Sequence, residues 1–354
     1  MKTYPQPPKP KAAVNRAGRA ISESNETAAE VALVDQWRAA HGYVINTFQI
    51  FFKRRISKAA PTAEFAQRLK RRNTVIDKLR RKRPDGTPLM GDVTSMHDYA
   101  GCRLIFNDME SLQRFREYVH SSESLSNVNH KIKHDLDKYN YIEHPKPSGY
   151  RGIHDIFQHY PRPHRKDGVN SEPWHGLLVE VQYRTKFQHA WATALEISDL
   201  IDGQRTKFDL TDSKRVRFFA LASEIIARHY EGMTRAFTEL SFVEITSELE
   251  QLEDELGILQ RLSALKQADQ FGKIKKHNVL NIFEDEHGEI SLQVIPFSNA
   301  NLAIERANQL ELDRTSINAV YVRADSPNQL RSAYRNYFND PVDFVKLVYT
   351  AIEG

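Results

Sequence analysis

The sequence predicts an α/β (α+β) protein: a mixed sheet of about five strands flanked by helices, a long helical extension, and a small C-terminal α+β unit. Three observations predict it. A helical-period apolar stripe fills residues 28–58, short apolar or alternating segments follow between residues 101 and 185, and helical patterning resumes from about residue 213 to 267. With 354 residues the chain exceeds one typical domain. The expected division is a flexible basic tail over 1–25, a main domain with its helical extension over 26–271, and a C-terminal domain over 272–354.

Taken in order, the tail is rich in proline (Pro5, Pro7, Pro8, Pro10) and small polar residues, which bury too little surface to order themselves. The first helix carries Val31, Val34, Trp37, Val44, Ile45, Phe48 and Phe52 on one side. A second helix is expected from about Thr62 to Arg81, with Phe65, Leu69, Ile76 and Leu79 buried, ended by Arg83-Pro84-Asp85-Gly86. Gly101 to Phe106 reads as a strand, Ser111 to His120 as a helix, Ile153 to His159 and Leu177 to Thr185 as strands, and Phe187 to Ile201 as a helix. In the long helices, Leu249, Leu252, Leu256, Leu259 and Leu262 read as a packing seam rather than a zipper. Gly272 to Lys276 looks like a linker. Beyond it, Val279 to Phe283 and Ile290 to Phe297 flank a hairpin signal at Glu286-His287-Gly288, and a strand from Ile317 to Arg323 with closing helices completes the unit.

Composition narrows the function. The chain is 40% hydrophobic and 27% charged, ordinary for a globular protein with a core. Its net charge of +4 is mild, but nine Lys or Arg against the single acid Asp77 lie between Arg68 and Arg83, a concentration suited to a polyanion. Cys102 is the only cysteine, which excludes an intramolecular disulfide and a cysteine-rich zinc site and fits a reducing compartment. No run approaches the ~18 apolar residues of a membrane span. A cytoplasmic protein with no membrane partner is expected.

Four segments carry candidate chemistry. Just beyond Arg68, Lys70, Thr74 and Lys78 lie four residues apart from one another, so on a helix they share a face able to hold a triphosphate. Asp98 precedes Gly101 and Arg103 at a strand entry, where one carboxylate with substrate phosphates can hold Mg2+. The loop from Tyr141 to His154 is stiffened by Pro145, Pro147 and Gly149 and presents Lys146, Ser148, Tyr150 and His154, with a tyrosine able to stack on a base. From Leu177 to Thr185, period two places Glu180, Gln182 and Arg184 on one face and Val179, Val181 and Tyr183 on the other. Each alone is equally a solvated basic helix, a turn aspartate, an ordered surface loop or a strand with a wet face.

In order and spacing, however, the four segments resemble the RelA/SpoT nucleotide synthetase domain. The family pattern R-x-K-x-x-x-S-x-x-x-K, D-x-A-x-x-R, Y-I-x-x-P-K-x-[NS]-G-Y-x-x-x-H and E-I-Q-x-R-T is matched between residues 68 and 185, and continues into His189, Trp191-Ala192 and Leu195-Glu196. The resemblance implies a nucleotidyltransferase-like fold and an ATP-dependent pyrophosphokinase that attacks the β-phosphorus with a ribose 3′-hydroxyl and releases AMP. It implies Asp98 and Glu180 as catalytic Mg2+ ligands, with Glu180 also helping to deprotonate the hydroxyl. Arg68, Lys70, Thr74, Lys78, Arg103 and Arg184 would bind ATP, and Lys146, Ser148, Tyr150, His154 and Gln182 the acceptor.

The chain departs from the pattern where K-D-Y-I is replaced by Tyr139-Asn140-Tyr141-Ile142, losing a lysine that the family uses on guanine-nucleotide phosphates. Two acceptors therefore follow from the resemblance: the tRNA 3′-CCA end, as in translation-inhibiting toxins, or GTP/GDP, as in (p)ppGpp alarmone synthetases. A catalytically inactive RNA-binding module is the non-enzymatic alternative. The layout is also similar to a branch that fuses toxin and antitoxin and responds to a phage-protein trigger. There Tyr334 and Tyr337 would be regulatory residues covering the ATP site.

Overall fold

The computed structural model describes residues 4–354 apart from residues 71, 84, 127, 162–169, 202–212, 264–265, 268–274, 286–289, 311–312, 314 and 324–339. The expected linker mostly falls on those residues, as do the hairpin tip, Tyr334 and Tyr337. The chain divides into two compact units, residues 1–140 with 153–184, and residues 141–152 with 185–354.

The first unit is built on a five-stranded sheet in the order β1-β2-β5-β4-β3, as the fold class required. Its strands are β1 (Glu64–Leu69), β2 (Ala100–Phe106), β3 (Lys131–Ile132), β4 (Ile153–Gln158) and β5 (Leu178–Thr185). Helix α2 (Ala28–Ala59) opens with a capping box between Thr27 and Glu30, a device worth ~1 kcal/mol. Its aromatic stripe lies on the sheet: Phe48 meets Phe157 of β4, and Phe52 meets Phe65 of β1, with ring centroids 5.7 and 5.9 Å apart.

Two sequence expectations are corrected here. The tail is not a tail throughout, because Lys11–Glu23 form helix α1, with Val14, Ala17, Gly18, Ile21 and Ser22 buried. The prolines all lie at or before its N-cap, and the apolar residues beyond them recur at helical spacing. A methyl at Gly18 would lie 2.6 Å from Val93 Cβ, so α1 is held close to the segment leading into β2. The second helix is also shorter than expected: residues 64–69 are strand β1, and helix α3 spans only Arg72–Arg80. Phe65 and Leu69 are four apart, an even offset that shares one face of a strand as readily as of a helix. Pairing with β2 from Glu64↔Ile105 to Leu69↔Ala100 decides for the strand.

Helix α4 (Met109–His120) packs behind the sheet and supplies a buried charge network. Asp155 of β4 has no exposed surface and accepts from Arg116 Nε and Nη2 (3.1 and 2.9 Å) and from His120 Nε2 (2.7 Å). Breaking such a buried pair by removing one partner costs ~3–5 kcal/mol. Because side chains alternate along a strand, anchoring Asp155 on one face fixes His154 on the other.

The second unit contains α6 (Lys186–Ile201), α7 (Ser213–Glu231), α8 (Phe242–Leu256), α9 (Ile258–Ser263), α10 (Ala300–Leu310) and α11 (Asp340–Glu353); the short α5 (Ser122–Leu125) belongs to the first. Its four-stranded sheet runs β6-β8-β7-β9, from β6 (Lys266–Gln267), β7 (His277–Glu284), β8 (Ile290–Phe297) and β9 (Ser316–Arg323). One core gathers Trp191, Leu195, Phe218, Phe219, Leu249, Phe344 and Val348. Helix α11 closes it, with Phe344 stacked on Phe219 and Leu347 O accepting from Tyr230 Oη (3.1 Å). The segment 141–152 is pinned to α7: at Gly149, with φ +85°, an added Cβ would lie 2.7 Å from Ala220 Cα. Arg151 pairs with the buried Glu231, which also accepts from Thr185 Oγ1 (2.6 Å) and Gln188 Nε2 (3.0 Å). No helix among the described residues is long and apolar enough to cross a membrane.

Candidate active site

The first unit brings two carboxylates to the same end of its sheet. Because Leu69 pairs with Ala100, and Lys70 N–H donates to Tyr99 O (2.8 Å), the residue after β1 stands opposite the loop before β2. Lys70 Nζ therefore reaches Asp98 Oδ2 (2.7 Å), and Lys78 of α3 reaches Asp98 Oδ1 (3.0 Å). Burial raises the Asp98 pKa, but Lys70 and Lys78 more than offset this and hold it below the ordinary value. Burial in turn lowers that of Lys70, against the pull of Asp98. Thr74 lies one turn before Lys78 on α3.

Glu180 is positioned by strand register. His154 of β4 pairs with Gln182 of β5, so His154 Nδ1–H donates to Glu180 Oε1 (3.1 Å) while Gln182 Nε2 donates to Oε2 (2.6 Å). Arg184 Nη2 then donates to Gln182 Oε1 (3.1 Å), continuing the row along the face opposite Val179, Val181 and Tyr183. Burial opposes the charge of Glu180, yet His154, Gln182 and Lys78 hold its pKa far below the carboxylate range. Neighbouring cations thus favour the charged form of both carboxylates, and Lys78 acts on each. Arg68 and Arg103 share one face of the β1–β2 pair, since Arg68 sits opposite Gly101 and Arg103 opposite Ala66.

Lys146, Ser148 and Tyr150 belong to the second unit. Ser148 and Tyr150 are buried, the Tyr150 ring meeting Tyr141 and Trp191 edge-on. Lys146 Nζ stands 4.2 Å from the centre of the Tyr141 ring. Sequence reasoning missed His97, whose pKa is lowered by burial and by Lys133 while feeling the charges of Glu180, Lys78 and Asp98. It has no motif of its own; its only signal is adjacency to Asp98. Among the described residues no group of three or more His, Cys, Asp or Glu is placed to hold a metal. Two ionised oxygen donors without a full cage suit Mg2+, which keeps waters and takes the rest of its shell from substrate phosphates.

A carboxylate pair, one member in a loop and one on a strand, flanked by lysines has the charge pattern that phosphoryl transfer needs. Residues 67–198 match the family described as a region found in RelA / SpoT proteins, so the chain carries a RelA/SpoT synthetase domain, of the pyrophosphotransferase family. Three solved structures of small alarmone synthetase 1 from Bacillus subtilis are similar. The first is 21% identical, covering 62% of this chain and 94% of that one, with a TM-score of 0.39. The second, bound to its product pppGpp, is 19% identical over 61% and 94%, with a TM-score of 0.39. The third, bound to AMPCPP, is 16% identical over 52% and 85%, with a TM-score of 0.34. No curated protein matches the sequence.

Proposed function

We propose that this RelA/SpoT-type pyrophosphokinase transfers pyrophosphate from ATP to the ribose 3′-hydroxyl at the 3′-CCA end of tRNA. The observation that carries the acceptor is Tyr139, which stands where the resemblance leads one to expect a lysine for guanine-nucleotide phosphates. Lys70 and Lys78 would pass from Asp98 to the ATP phosphates, with Arg68, Thr74, Arg103 and Arg184 around them. Asp98 and Glu180 would hold Mg2+, which when bound neutralises charge on the transferring group. The acceptor 3′-oxygen bonds to the β-phosphorus, the bond from that phosphorus to the α,β-bridging oxygen breaks, AMP leaves with that oxygen, and the hydroxyl proton passes to Glu180. Base stacking by Tyr150, with Lys146 and Ser148 beside it, requires the ring to turn out of the core that holds it. In this reading residues 272–354, with Tyr334 and Tyr337, restrain a translation-inhibiting toxin until a phage protein releases it.

The test is transfer of label from the β,γ-phosphates of ATP with the full chain, offering deacylated tRNA and GTP/GDP side by side. Label on the tRNA 3′ end is expected. Label confined to GTP or GDP makes the protein a (p)ppGpp synthetase, and RNA binding without transfer to either makes it a binding module.

A further inference from the structure

Beside the carboxylate pair lies a second cluster, of which the family resemblance touched only the position of Tyr139. Beyond β3 the chain continues along the edge of β4: Lys133 N–H donates to Ile156 O (2.8 Å), Ile156 N–H to His134 Nε2 (3.0 Å), and His154 N–H to Tyr139 O (3.1 Å). These bonds fix residues 133–139 as a ledge next to His154, itself bonded to Glu180. On it, the rings of His134 and His97 flank Tyr139, at centroid distances of 4.7 and 6.4 Å. Lys138 Nζ stands 5.7 Å from the Tyr139 ring centre, and Lys133 Nζ donates to His97 Nε2 (3.3 Å). Neither Lys133 nor Lys138 has a carboxylate partner among the described residues. His97 immediately precedes Asp98, and His154 beside the ledge is bonded to Glu180, so the ledge borders the carboxylate pair.

We propose that His97, Lys133, Lys138 and Tyr139 form a docking ledge for the single-stranded RNA that leads into the reacting ribose, Tyr139 stacking on the penultimate base and the lysines taking the phosphodiesters. A nucleoside polyphosphate concentrates several charges on one 5′-oxygen and calls for converging cations. Here one lysine stands at the Tyr139 ring and another at the neighbouring His97 ring, cations interleaved with rings as single-stranded nucleic acid requires. One charge per nucleotide suits one lysine per phosphate.

This inference rests on the tRNA reading, and the test separates the two. Binding of a 5′-fluorescein oligoribonucleotide ending in CCA is followed by anisotropy, and ATP binding in parallel, for the full chain and for Lys133→Ala, Tyr139→Ala and Tyr139→Phe. Both alanine variants should lose about tenfold or more in oligonucleotide affinity with ATP affinity unchanged, while Tyr139→Phe keeps its binding because only the ring is needed. Lys133→Ala should also flatten the dependence of log affinity on log salt by about 0.7. Full oligonucleotide affinity in both alanine variants, or equal loss of ATP affinity, overturns the ledge even when the wild type labels tRNA. A wild type that labels GTP and does not bind the oligonucleotide overturns the tRNA reading itself.

Discussion

Asp98 and Glu180 are both partly buried carboxylates held toward their charged form, but by opposite means. Asp98 lies in a loop, and its charge is balanced by the ends of two long, flexible lysines. Glu180 lies mid-strand, and its partners His154 and Gln182 are placed by the pairing of β4 with β5. Lysine ammoniums also seek phosphates, so in the proposed reaction Asp98 would share its partners with the nucleotide. The hydrogen-bond partners of Glu180 are instead fixed by the pairing of the sheet. The difference assigns exchange to one carboxylate and constancy to the other.

The largest expected effect is on turnover. Glu180→Gln should lower single-turnover transfer by about 10²–10⁴-fold while the circular dichroism spectrum stays that of the wild type. Full activity in that variant would remove Glu180 from the chemistry. Asp98→Asn should cost turnover similarly, yet it should tighten ATP binding measured without metal, because Lys70 and Lys78 are released to the phosphates. Weaker metal-free binding would mean that the lysines do not exchange, and the contrast between the two carboxylates would fail. Next in size, Lys70→Ala should weaken ATP about 10- to 100-fold, the loss of one charge-assisted hydrogen bond in a partly buried site.

The smallest effect on the site separates its charges from the fold beneath them. Burial lowers the pKa of His41 to about 4, and burial with His159 that of His130 to about 3, against an ordinary value of 6.5. These neutral imidazoles contribute stability that is fully present above pH 6.5, because only the unfolded chain takes up their protons below it. That contribution falls as the pH drops from 6.5 through about 4. The melting temperature should therefore decline over this window with the sites of ATP binding untouched, and His130→Asn should flatten the decline.

How much of this was legible in the sequence depends on where each signal was written. The row Glu180, Gln182, Arg184 was readable because period two is a property of a single strand. The long stripe of α2 was equally plain. Strand β1 was not, since Phe65 and Leu69 satisfy both periods and only pairing with β2 decides between them. Helix α1 was masked by the prolines before it. The ledge was invisible because His97 and Lys133 come from loops separated by two strands and two helices, and no local spacing records that the sheet closes the gap. Nor could the sequence show Tyr150 indoors, since its partner Trp191 lies on another element.

Helix α11 has a practical consequence for anyone who wishes to separate the C-terminal residues from the rest. Phe344, Val345, Val348 and Ala351 are buried in the same apolar core as Trp191, Phe219 and Tyr150. A protein shortened ahead of residue 272 is therefore not the parent with a module unplugged. It is a parent with a wall taken out, its exposed leucines and aromatics inviting aggregation and Tyr150 set loose. Gain of activity on truncation would then be ambiguous, whereas a single polar substitution on the outward face of α11 would leave the wall standing.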